Sequence, residues 1–138
     1  MTLEMAFGMD MADQMFNLEL AATCERQRTE ANERMAEVFD EADLVICATN
    51  PDVAFPADVS LNTRVGERSV GPENNGALTI PANIVGNPAI SIPAGTVDGL
   101  PVGMQVIGRH HDDALLLDLA RVVERERPWT LVAPGAPL

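Results

Sequence analysis

Lysine is absent from this chain of 138 residues, and all nine of its basic residues are arginines. No active site that depends on a lysine, as base or as Schiff-base amine, can be assembled from this sequence by itself. The phosphate-cradling GxxxxGK[ST] loop is excluded on the same ground. Positive charge of any kind is scarce: 21 acidic residues leave a formal net charge of −12. Such a surface repels a phosphate backbone, whose affinity for protein rests on cationic side chains that release counterions, so no nucleic-acid partner is expected. Long apolar runs are missing too, and nothing approaches the roughly 18 uninterrupted apolar residues that a membrane-crossing helix requires. The first 25 residues carry Glu4, Asp10, Asp13 and Glu19 but no basic residue. That is unlike a positively headed signal peptide, and the expectation is a cytoplasmic protein with no membrane partner. Cys24 and Cys47 are the only cysteines, with neither a CxxC spacing nor a secreted-style framework, and are expected to be buried free thiols. Serine occurs at Ser60, Ser69 and Ser91 alone; no two are adjacent and none sits in a GxSxG elbow.

What is present suits one α/β domain, since an apolar share of 46% and a charged share of 22% lie in the ordinary globular range. Residues 1–42 hold no proline and are rich in Met, Ala, Glu, Leu and Arg, which lose little side-chain entropy in a helix. Gly8 is the expected break. Met1, Met5, Met9, Met11 and Met15 recur close to four apart and are read as a core-facing side, while Arg28, Glu30, Glu33, Arg34 and Glu37 mark a solvated face opposite Met35, Val38 and Phe39. Residues 43–49 contain LVICAT, apolar throughout its first half, which suits a central strand buried on both faces. Residues 50–75, with Pro51, Pro56, Gly66, Gly71 and Pro72 and no sustained period, read as a long irregular loop, of a length that tends to be functional or disordered. Residues 76–127 read as helix, strand, strand, helix. Pro81 suits a first helical turn and Gly86 a left-handed stop. Strands at 89–92 and 102–107 are joined through Asp98-Gly99, a tight-reversal pair. Asp112 is placed to cap a helix whose buried face is Leu115, Leu116, Leu119, Ala120 and Val123. Residues 128–138 read as an extended tail.

Three chemistries can be weighed on these residues. His110, His111, Asp112 and Asp113 could each ligate a metal, but four successive side chains point in different directions, whereas helical metal pairs sit at i and i+3 or i+4. Capping is the preferred reading, with no metal and no cofactor. Gly95, Gly99, Gly103 and Gly108 match neither GxGxxG nor a phosphate loop, and are read as a turn and close backbone approaches. Thr49, Asn50 and Asn83 are polar groups at a strand exit and a helix start, the positions from which a pocket wall is commonly built.

The segment NIVGNPAISIP at 83–93, followed by DGLPVGMQVIG at 98–108 and the leucine-rich helix, resembles the carboxy-terminal end of amidase signature enzymes. The likeness extends back through Phe39-Asp40 and Asp43-Leu44-Val45 and covers residues 34–129. It departs from the family at Ala48-Thr49, where relatives commonly have proline before the threonine. The resemblance implies the closing part of an α/β/α sandwich with a mixed sheet, of which this chain supplies about three strands and three or four helices. It also implies a parent enzyme that hydrolyses carboxamide C–N bonds through a serine nucleophile, a second serine in a cis peptide and a lysine base. The family's serine-rich signature is absent, so the resemblance assigns no catalytic residue to this chain. Ser91 lies in a strand of the closing unit and is not that nucleophile. The chain alone is expected to be inactive, with Thr49, Asn50 and Asn83 facing a small amide substrate in the complete enzyme. Its expected partner is an upstream amidase segment or a second copy of itself. The rival expectation is a non-catalytic remnant or interaction module that dimerises or pairs with an upstream half.

Overall fold

The computed structural model describes residues 3–130. Its first helix, α1 (Leu3–Met15), is followed after two residues by α2 (Leu18–Glu41). The break falls at Asn17 and not at Gly8: the Asn17 side chain accepts a bond from Leu20 N at 2.8 Å and so satisfies one of the unpaired first-turn donors of α2. Gly8 stays inside α1, because one glycine weakens a helix by about 1 kcal/mol without ending it. The methionine stripe is not core-facing among the described residues, with Met9 60% and Met15 56% exposed. On α2, Phe39 is buried and Met35 packs beside it, but Val38 points outward. The charged face is solvated, and Arg28 pairs with Glu25 there at 2.7 Å.

After α2 come β1 (Val45–Ala48) and a loop that is not wholly irregular. Within it β2 (Arg64–Val65) and β3 (Arg68–Ser69) form a short antiparallel hairpin, followed by a 3-10 turn at Pro72–Asn74. Helix α3 (Ile80–Val85) starts with Pro81 in its first turn and stops at Gly86, whose φ of 76° is the left-handed conformation that a residue with a Cβ adopts at a cost. Strands β4 (Ala89–Val97) and β5 (Leu100–Ile107) are longer than the sequence suggests, running up to the turn where Asp98 and Gly99 both have positive φ.

The three long strands form one antiparallel sheet in the order β1-β5-β4. Strand β5 is central, and β1 is an edge rather than the middle of the sheet. An apolar run such as LVICAT signals that a strand will be covered, not by which piece of chain. Successive residues of a strand face opposite sides, and the core divides accordingly. Ile107 joins Phe39 and Ala82, so α2 and α3 cover one face. Val106 joins Ile92 and Leu116 of α4 (Asp113–Glu126) on the other, with Leu119, Ala120, Val123 and Trp129 around them. The result is helix, sheet, helix. Leu115, expected on the buried face of α4, is 47% exposed. Asp112 holds the N-cap position without a side-chain bond; only its carbonyl serves α4, accepting from Leu116 N at 3.2 Å. Cys24 is exposed and Cys47 half-buried, against the expectation of two buried thiols. Beyond residue 130 the expected tail lies outside the described residues.

Candidate functional site

The site-bearing region lies where β1 leaves the sheet. Thr49 N donates to the Gly103 carbonyl at 2.9 Å, carrying the β1–β5 pairing one residue past the strand. This places the Thr49 hydroxyl over β5, where it lies 2.6 Å from the Ser91 hydroxyl of β4. The two side chains reach across the central strand because Gly103 stands between them. A Cβ on Gly103 would lie 2.6 Å from each hydroxyl oxygen, closer than real Cβ contacts allow. Glycine is therefore required for space rather than for an unusual dihedral. Two residues further along the same face, Gln105 is buried and donates from Nε2 to the Leu78 carbonyl at 2.7 Å and to Cys47 Sγ at 3.2 Å. It ties the strand pair to the segment entering α3.

Asn50 lines a concavity of about 940 Å³ between the end of β1, the long loop and the β4–β5 turn. Ile46, Met104 and Val102 give it an apolar side; Asn62, Asn74 and Asn75 add carboxamides. Asp52 is the single ionisable acid or base other than a thiol on this lining. Its two oxygens accept from Gly66 N at 2.9 Å and Val53 N at 2.8 Å. The backbone donor at Gly66, and secondarily that at Val53, holds the Asp52 carboxyl below the usual aspartate range. Asp52 thus binds the hairpin of the long loop to the end of β1. The surface this creates offers neutral donors and acceptors beside apolar walls.

Asn83 does not join Thr49 and Asn50. It is exposed on α3 and lines a separate recess of about 260 Å³ with Gly86, Asn87, His110, His111 and Asp113. There His110 Nε2 donates to the Val85 carbonyl at 2.8 Å, closing the end of α3, and His111 occupies a tight reversal with φ of 71°. Asn87 is buried and donates to the Gly108 carbonyl at 2.7 Å, which pins the start of β4 to the end of β5. Sequence reasoning missed Asp52, Gln105 and the pairing of Ser91 with Thr49. Only Gln105 carried a signal, as a lone polar residue inside the apolar alternation of β5.

A family model described as Amidase matches residues 4–117, most of the chain. The chain belongs to the amidase signature family. The matched range holds both segments on which the resemblance rested, and the Gly86 stop, the Asp98-Gly99 turn and Gly103 all lie within it. Among relatives, a glutamyl-tRNA(Gln) amidotransferase subunit of Lacticaseibacillus casei is 39% identical over 111 residues, 78% of this chain and 21% of that one. Among solved structures, a bacterial aryl acylamidase of the amidase signature family superposes on 100% of this chain and 29% of its own, with a TM-score of 0.79 and 26% identity. The corresponding glutamyl-tRNA(Gln) amidotransferase subunit from Thermotoga maritima matches 94% of this amidase-family chain and 29% of its own length, with a TM-score of 0.59 and 28% identity. The chain thus spans about a fifth of the length of the curated relatives it matches. Among the described residues no helix is long and apolar enough to cross a membrane.

Proposed function

We propose that this chain is the closing segment of an amide hydrolase, catalytically incomplete alone, and that it contributes a substrate-facing wall to a carboxamide-cleaving site. The observation that carries the reading is the coincidence of a family match over residues 4–117 with a sequence that has no lysine and no adjacent serines. The serine nucleophile and lysine base that the family resemblance implies would come from the larger part of the fold. In this reading Thr49 and Asn50 face the substrate from the exit of β1. Asn83 would face the substrate from a second side, through the separate recess beside α3. The chain would work in the cytoplasm, a reducing compartment that suits the exposed free thiol of Cys24.

The test is to assay the purified 138-residue protein on aryl and alkyl carboxamides. The expected result is no turnover above the uncatalysed rate. Turnover that co-purifies with the chain and survives removal of full-length amidases would overturn the claim of incompleteness. A second reading, a non-catalytic module that pairs with itself or with an upstream half, is favoured by the outer edge of β1, which is open among the described residues. Titration of sedimentation mass against concentration separates self-pairing from a monomer.

A further inference from the structure

We propose that the wall this chain gives to the amide-cleaving site selects an uncharged substrate: a carboxamide whose uncut part is aryl or alkyl, in preference to one bearing a carboxylate or an ammonium group. The inference rests on the reading of the chain as a closing segment and adds the substrate class. A carboxamide can carry either charge away from the bond that is cut. A pocket that takes a charged one supplies a partner for it, because burying an unpaired ion costs far more than burying an amide.

The concavity of about 940 Å³ beside β1 supplies no such partner. Among the described residues its lining holds no arginine and no histidine. The two arginines of the long loop, Arg64 and Arg68, lie outside it, and Arg64 donates instead to the Glu67 carbonyl at 3.4 Å. Asp52 is the one carboxylate on the lining. Its oxygens already accept from Gly66 N at 2.9 Å and Val53 N at 2.8 Å, so backbone donors of the loop balance its charge. Beyond the lining, the net charge of −12 sets up a field that repels an anionic substrate before contact.

What the lining does offer fits a neutral guest. Asn50, Asn62, Asn74 and Asn75 each present a carboxamide, with an acceptor oxygen and a donor nitrogen. Among the described residues the side chains of Asn50, Asn74 and Asn75 have no hydrogen-bond partner, so they are free to pair with a ligand. One carboxamide is the complement of another: its N–H donates, its carbonyl accepts, and no charge is stripped of water. Beside them Ile46, Phe55, Val97 and Met104 give apolar surface, with Ile46 59% and Val97 49% exposed to whatever enters. That surface suits an aryl or alkyl group and has nothing to offset the desolvation of an ion.

The experiment uses probes of nearly one shape that differ in charge: benzamide, benzoate and benzamidinium. Each is titrated into the isotope-labelled 138-residue chain at physiological salt, where the long-range field is largely screened. The side-chain amide signals of Asn50, Asn74 and Asn75 are followed by NMR. Benzamide should shift them saturably at millimolar concentration, with benzoate and benzamidinium weaker by about tenfold or more. Asn75→Arg, at an exposed position, should bring benzoate above benzamide, since the guanidinium supplies the missing partner. Equal affinity for all the probes, or benzoate preferred by the unchanged chain, would overturn the proposal. A preference for benzamidinium would do the same by making Asp52 an open ion-pair partner, as would an Asn75→Arg chain that still rejects benzoate. Absence of binding by every probe also counts against it, since the wall then holds no substrate. These failures leave the closing-segment reading intact. Benzamide that binds and is hydrolysed by the isolated chain does the reverse: it sinks the claim of incompleteness and leaves the charge selection in place.

Discussion

Helices α1 and α4 are nearly equal in length, 13 and 14 residues, and stand in opposite relations to the rest of the molecule. On α4 the apolar residues Leu116, Leu119, Ala120 and Val123 recur three and four apart and close over Ile92 and Val106. On α1 and the start of α2, Phe7, Phe16 and Leu18 are 65%, 69% and 85% exposed. Both stretches are rich in good helix formers, so propensity does not separate them. Tertiary cover does. The contrast teaches that part of this chain is finished as it stands, and that its amino-terminal helix carries apolar surface the described residues do not use.

The largest way to break the comparison is to empty the covered side. Leu116→Ala should cost about 2–5 kcal/mol, since Leu116 is 3% exposed and fills the gap between α4 and the sheet. Urea unfolding followed by circular dichroism would measure it, and a loss below about 1 kcal/mol would show that α4 is not holding the sheet. Gly103→Ala should cost about 1–3 kcal/mol, because the new methyl must displace the Thr49 and Ser91 hydroxyls. Adding Ser91→Ala in the same chain should recover part of that loss, and no recovery would mean that the clash lies elsewhere. Gly86→Ala meets only an ordinary contact, His110 Nε2 at 3.7 Å, and so should cost only the left-handed conformation, about 1 kcal/mol. Phe16→Ser tests the other side of the comparison and should change the stability of the isolated chain by less than about 0.5 kcal/mol. A larger loss would show that α1 is covered in solution after all.

The smallest effect is local. The folded pKa of Asp52 is depressed, so the stability that its hydrogen bonds give is fully present above the ordinary aspartate range and is lost as pH falls through the lowered value. Exchange at the Gly66 amide should therefore quicken only in acid. Asp52→Asn should quicken it at neutral pH as well, with little change in global melting.

The closing unit was legible because its signals are local. Gly86 and the Asp98-Gly99 pair need particular dihedrals, and they found them where the sequence placed them. The polar wall was legible only in part. Thr49 and Asn50 mark a strand exit, but Ser91 meets Thr49 through a register that spans 42 residues of chain, and no local pattern encodes that distance. Asn83 sits at the helix foreseen for it, yet α3 turns it toward a different recess. The edge position of β1 was hidden for a related reason: an apolar strand reads as covered on both sides whether its cover is on this chain or on another.

Arg109 has a mechanical meaning. Its guanidinium lies 5.6 Å from the centre of the Phe39 ring, donates to the Ala42 carbonyl at 3.2 Å and approaches Asp43 at 3.7 Å, fastening the end of α2 to the end of β5. With 24 residues, α2 extends about 36 Å from that fastening. Phe39, its one buried residue, is at the fastened end. The helix is therefore a lever arm held at its base, and a tilt of about 10° there carries the tip about 6 Å. Whatever settles against α1 pulls on the sheet through this base, where Arg109 and the packing of Phe39 on Ala82 and Ile107 hold the helix.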